Sequence, residues 1–264
     1  MENGAAGLVI TLHLNPALLR KKNYLSTGFK YDGQNFSNTL DLSSTGANYY
    51  TDMGYVQRIE NYDAIRDTTI RVGFNHIYDH AELKLFPTKG KILRHTIFLE
   101  NFIVLNPDNS FNERDHTLGY QIITKRNTSF GVTIESDEVN LLYPVAFTDG
   151  IPLPAANYHY TQFSGMYNSD TRKQFSYNLM ATEGGFYNGK LHTFGGGITL
   201  RQRPHLNIAL QAEYDLIDLP GEYGNSELLL ISPKIEVNFT TLISWTTFLQ
   251  YNTQRNNFNI NSRL

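Results

Sequence analysis

The sequence predicts an all-β fold, an antiparallel up-and-down transmembrane β-barrel of about 12–16 strands, judged from length over a strand-plus-turn unit. Closure within this chain is not required by that count. Three observations predict the fold. Apolar and polar residues alternate with period two over long stretches. The strands so marked run to about ten residues or more, where globular strands usually have about five or six. From about residue 92 onward, tight turns roughly alternate with longer connections. A barrel with one short-turn rim and one long-loop rim produces that rhythm.

The elements follow in order. Strands are expected near 6–14, 23–31, 35–43 and 53–60. The stretch Thr68 to Phe86 holds one or two strands, or a short helix. Phe130, Val132 and Ile134 then alternate with Gly131, Thr133 and Glu135. Leu206, Ile208, Leu210, Ala212, Tyr214 and Leu216 form one face of a longer strand; Asn207, Ala209, Gln211, Glu213 and Asp215 form the other. Leu229, Ile231, Pro233, Ile235, Val237 and Phe239 repeat the pattern against Leu230, Ser232, Lys234, Glu236 and Asn238. Ile243, Trp245, Thr247, Leu249 and Tyr251 repeat it again, with Phe248 the exception among Ser244, Thr246 and Gln250. Tight turns are expected at Lys125-Arg126-Asn127, at Asn188-Gly189 as a type I′ hairpin, at Arg203-Pro204-His205, and at Asn238 to Thr241. Longer connections are expected at Asn106 to Ser110, Tyr143 to Ala156 and Asp218 to Ser226. No Gly/Ser-rich or Pro-rich linker divides the chain, so residues 1–264 read as a single domain.

Composition excludes several classes. Charged residues are 18% of the 264, against roughly 25% in soluble domains. Aromatics reach 13%, with 17 Tyr, 16 Phe and 1 Trp, so the chain is not disordered. Mean hydropathy is -0.36, and no apolar run approaches the roughly 18 residues of a spanning helix. There is no Cys and hence no disulfide framework. A net charge of -3 provides no basic footprint for nucleic acid. The N-terminus lacks a signal-peptide pattern; Gly7 to Leu14 is too short and too β-branched. The ends read as cuts, so the chain is expected to be a fragment of a longer protein.

Long two-faced strands face either a core or lipid. A β-sandwich has shorter strands and mixed loops. A lipid-facing barrel needs strands of about 9–11 residues and aromatic girdles at both interfaces. Aromatics fall near predicted strand ends at Tyr49, Tyr50, Tyr55, Tyr158, Tyr160, Phe186, Tyr187, Tyr214, Tyr223 and Tyr251. Gly195-Gly196-Gly197 lies inside a strand, where glycine is costly except at bends or crowded lumen positions.

Three segments together carry a family resemblance: Met53-Gly54-Tyr55-Val56-Gln57-Arg58, Gly184-Gly185-Phe186-Tyr187-Asn188-Gly189-Lys190, and Phe248-Leu249-Gln250-Tyr251-Asn252-Thr253 followed by Asn261-Ser262-Arg263-Leu264. Over roughly residues 50–264 the chain resembles the C-terminal β-barrel domain of unknown function in outer-membrane proteins with an N-terminal family-nine carbohydrate-binding-like module. In that family the strand starting at Asn261 continues into a Trp- and Pro-Gly-containing segment, absent here, as is the module. The resemblance implies a porin-like barrel in the outer membrane of a Gram-negative bacterium. The lipid bilayer is then the implied partner, and a glycan or protein is reached through the N-terminal module. It supplies no catalytic residues.

Candidate chemistry is sparse. His76 and His80 stand at i and i+4, with Asp79 beside the second. On a helix that spacing suits a metal, although a zincin helix has Glu where Ile77 stands. On a strand the two would be about 13 Å apart at roughly 3.3 Å per residue, too far for one ion. Asp115-His116 and Asp137-Glu138 fall near strand or loop ends; as rim charges they would keep loops solvated, and as catalytic groups they would need partners from other strands. Arg201, Arg203, Lys234, Glu213, Asp215 and Glu236 fall on or near polar faces of neighbouring strands, which suggests cross-strand pairing inside a lumen. Such pairs either seal a lumen or form a charged eyelet. Gly195-Gly196-Gly197 has no following helix or Lys and is no phosphate loop. The expectation is a non-enzymatic channel, or a membrane anchor and translocation platform, with no catalytic, cofactor or metal residues and no cofactor. The alternatives are a soluble all-β carbohydrate-binding module and an outer-membrane hydrolase using His80 or His116.

Overall fold

A computed structural model describes residues 23–51, 56, 58–254 and 256–264 in full, and the backbone of Ala5–His13. The strands are β1 (Ala5–His13), β2 (Tyr24–Asp32), β3 (Phe36–Thr45), β4 (Glu60–Asp63), β5 (Thr68–Arg71), β6 (Phe74–Leu85), β7 (Ile92–Leu105) and β8 (Phe111–Thr124). They continue with β9 (Ser129–Asn140), β10 (Asn157–Asn168), β11 (Phe175–Phe186), β12 (Gly189–Gln202), β13 (Leu206–Asp218), β14 (Asn225–Asn238), β15 (Ser244–Asn252) and β16 (Asn257–Arg263). Fourteen of them form one antiparallel sheet in which chain neighbours pair; β4 and β5 form a separate hairpin between β3 and β6. Strands β1 and β16 are the sheet's two edges, and no ladder joins them among the described residues. The fold is all-β and up-and-down, with an open sheet.

Period two becomes two faces through the register, because residues opposite each other share a face. One face carries Leu118↔Ile134↔Phe163, Ala181↔Phe194↔Tyr214 and Ile198↔Leu210↔Pro233. The other carries Thr133↔Ser164↔Thr182↔Thr193↔Asp215. Hydroxyls link that polar row, with Ser164 Oγ 2.7 Å from Thr182 Oγ1 and Thr193 Oγ1 donating to Asp215 Oδ1 at 2.6 Å. The apolar face remains uncovered: Leu118, Phe163, Leu179 and Phe194 are each more than half exposed.

The connections sort by rim. One rim carries 46–73, 106–110, 141–156, 187–188, 219–224 and 253–256; the other carries 33–35, 86–91, 125–128, 169–174, 203–205 and 239–243. Both of the longest segments therefore emerge on the same side. They interlock there. The Ala64 N–H donates to the Pro144 carbonyl at 2.9 Å, and the Ile151 N–H to that of Glu222 at 3.1 Å. Leu153 is buried with Ile217 and Leu219 beneath this cover, on the polar side of the sheet.

Two expectations need adjustment, and a third is narrowed to one of its alternatives. Half of the strand expected at 53–60, residues 53–55 and 57, lies outside the described residues; Arg58 and Ile59 form a turn, and β4 begins at Glu60. The stretch Thr68 to Phe86 contains two strands and no helix. The hairpin loop is Tyr187–Asn188, one residue before the expected pair. Its positive φ is at Tyr187 alone, at 51°, so it is not type I′, which needs positive φ at both central residues. At this loop the Tyr187 ring packs against Phe147, Tyr158 and Tyr160. As for Gly195 and Gly197, both lie on the polar face, under the side chains of Met180 and Gln211.

Candidate functional site

The most distinctive chemistry lies on the polar face of β6–β10, toward the long-loop rim. Alternation on β9 puts Glu135 and Asp137 on one face, and register places Asp115 of β8 directly opposite Asp137. One carboxylate oxygen from each of the three lies within 4.8 Å of the others. Asp137 is buried, and its Oδ2 has no hydrogen-bond partner. Thr117 Oγ1 donates to Asp115 Oδ1 at 3.0 Å.

Neighbouring acids have partners. Arg58, from the turn before β4, reaches Glu113 and lies 4.7 Å from the centre of the Phe102 ring. Glu100 Oε2 accepts the Tyr78 hydroxyl at 2.9 Å and meets His80 Nδ1 at 3.0 Å. Below the acids, a cavity of about 380 Å³ is lined by His80, Phe98, Thr133, Ser164, Met166 and Thr182, among others. A second, of about 390 Å³, continues past Thr182 to Thr193, Glu213 and Asp215. The polar face is thus a continuous, hydroxyl-rich surface.

The sequence candidates disperse. His76 and His80 are both on strand β6 and do not converge: His76 packs on Phe102 at 4.3 Å between ring centres, and His80 pairs with Glu100. Asp115 and His116 point to opposite faces, as strand neighbours must. His116 Nδ1 meets Asn101 Oδ1 at 2.7 Å on the apolar side. Glu138 likewise turns away from Asp137, to Arg114 at 2.6 Å and Asn157 at 3.1 Å. Asp137 is not a solvated rim charge: it is buried on the polar face, opposite Tyr160 of β10.

The expected cross-strand ion pairs among Arg201, Arg203, Lys234, Glu213, Asp215 and Glu236 do not form among the described residues. Lys234 pairs along its own strand with Glu236 at 2.7 Å. Arg201 donates to the Thr171 carbonyl, and Arg203 is exposed in a turn. Asp215 takes the Thr193 hydroxyl instead of a cation.

The rim aromatics also divide. Tyr214 and Tyr251 lie on the apolar face, with hydroxyls on Glu227 and Asn256 at 2.9 and 3.2 Å. Tyr158, Tyr160, Phe186 and Tyr187 instead gather with Phe147 on the polar side, with ring centres 4.8 to 6.2 Å apart. Burial there pushes the Tyr187 hydroxyl up to about 12. Tyr49 stacks on Tyr24 at 5.5 Å, Tyr50 lies under Arg71 at 4.1 Å, Tyr223 packs beside Leu153, and Tyr55 is outside the described residues.

Sequence reasoning noted Asp115, Glu135 and Asp137 separately and missed their convergence. The available signal was the pair Glu135 and Asp137 at i and i+2, which must share a face. The chain matches no protein-family model, no curated protein and no solved structure.

Proposed function

We propose that this chain is a non-enzymatic outer-membrane β-barrel domain, acting as a channel or as a membrane anchor and translocation platform for a soluble module. The uncovered apolar face carries this reading. It runs over adjacent strands of 12 to 14 residues from β7 to β14. In water such a face would far exceed the few hundred Å² of apolar patch that monomers tolerate. In a bilayer it is the ordinary surface of a spanning sheet, with long strands and a hydroxyl-rich opposite face. Closure of the sheet, by β1 and β16 or by further strands between them, satisfies the edge groups that lipid cannot. Among the described residues no helix is long and apolar enough to cross a membrane.

Detergent dependence of folding tests it. Refolded with and without micelles, the chain is expected to give a β-type circular dichroism spectrum and heat-modifiable gel migration only with micelles. A cooperative β fold in plain buffer overturns the reading. Conductance in planar bilayers then separates channel from anchor.

A further inference from the structure

We propose that Asp115, Glu135 and Asp137 bind a hard divalent cation of calcium size on the polar face of β8 and β9. This goes beyond the channel or anchor reading and does not depend on sheet closure, since all three residues lie on one strand pair.

The geometry comes first. Three carboxylate oxygens lie no more than 4.8 Å from one another. Calcium holds oxygens at roughly 2.3–2.6 Å, so opposed ligands stand up to about 5 Å apart. Magnesium at roughly 2.1 Å usually keeps several waters and takes only one or two carboxylates, so a set of three favours calcium. The donor set is all carboxylate, with neither His nor Cys, which selects hard cations over zinc or copper.

The register makes the cluster a property of the sheet. Asp115 and Asp137 are a direct cross-strand pair, and like charges so placed destabilise a sheet. Glu135, two residues along β9, adds a third negative group on the same face.

A separate observation points to a ligand. Asp137 is only 7% exposed, and Oδ2 has no hydrogen-bond partner. Its carboxylate is aimed into the cluster, as the oxygen separations show. A buried acceptor left without a partner is expensive. Among the described residues no cation pairs with the cluster: Arg58 is taken by Glu113, and none of the three carboxylates has an ion pair. The Lys84, Arg94, Arg201 and Lys234 side chains of the polar face belong to its other end. A bound divalent ion offsets the repulsion and gives the buried Asp137 carboxylate a partner in one step. Tyr160 stands opposite Asp137 on β10, within energy-transfer reach of an ion held there.

The test uses the full folded chain, stripped with EGTA. Terbium is titrated with excitation of tyrosine, calcium competes, and thermal melting is followed with and without calcium. Saturable terbium emission, displaced by calcium, and a calcium-dependent rise in melting temperature are expected. Asp137→Asn should weaken terbium binding at least tenfold and abolish the calcium-dependent rise. In EGTA it should melt no lower than the parent, because it removes repulsion. If Asp137→Asn does not fold, Glu135→Gln and Asp115→Asn provide the same comparison, and Glu213→Gln is the control expected to leave terbium emission unchanged. Terbium emission unaffected by these three substitutions, or no calcium effect at millimolar concentration, overturns the site. In the second case, higher stability of Asp137→Asn would show that the carboxylates share protons instead.

Discussion

Gly119 and Gly189 are both tightly enclosed, by different kinds of atoms. A Cβ on Gly119 would stand 2.0 Å from Cζ of Phe98, its cross-strand partner. A Cβ on Gly189 would stand 2.2 Å from the backbone oxygen of Asp218. A ring can swing aside, whereas a paired backbone cannot. Gly119→Ala is expected to cost about 1 kcal/mol and Gly189→Ala about 3 kcal/mol or more, spanning the range of overpacking. Phe98→Ala should relieve most of the first and none of the second; equilibrium denaturation of single and double variants measures this. At this scale the sequence was readable for residue type but not for partner. Glycines inside strands implied crowding, yet which side chain does the crowding depends on register.

At the scale of the element, alternation was the most legible signal. It located β9, β13, β14 and β15 within a few residues and assigned their faces, because the pleat sends neighbours to opposite sides. It failed where side chains choose among neighbours. Lys234 was expected to reach across strands and instead takes Glu236, two positions along the same face. Tyr158, Tyr160, Phe186 and Tyr187 were expected to gird the membrane and instead pack with Phe147. The two faces can be tested on one strand. Ile198 is exposed on the apolar face of β12, and Thr199 is its polar-face neighbour. Ile198→Arg should cost about 2–4 kcal/mol in lipid, the range for a cation near the bilayer midplane, and Thr199→Arg much less. Urea-dependent folding into vesicles reads both. Equal costs would mean that the apolar face does not meet lipid.

The whole molecule is polarised by its loops. The segments 46–73 and 141–156 share one rim and interlock, whereas the opposite rim has only short connections. A spanning sheet must then present Asp149 and Arg126 on opposite sides of a bilayer. The natural chain has no Cys, so Asp149→Cys and Arg126→Cys each introduce a single label site. In sealed vesicles an impermeant maleimide should label complementary fractions, summing to about one whatever the mixture of orientations. Full labelling of both from outside would remove the spanning arrangement.

By itself the sequence determined the all-β class and the long two-faced strands. These follow from local alternation and turn chemistry, which act within a few residues. Only the tertiary structure decided the fourteen-strand order, the loop cover over the polar face and the meeting of Asp115 with Glu135 and Asp137. Those depend on the pairing of β8 with β9, where a shift of one residue would send the opposing side chain to the other face.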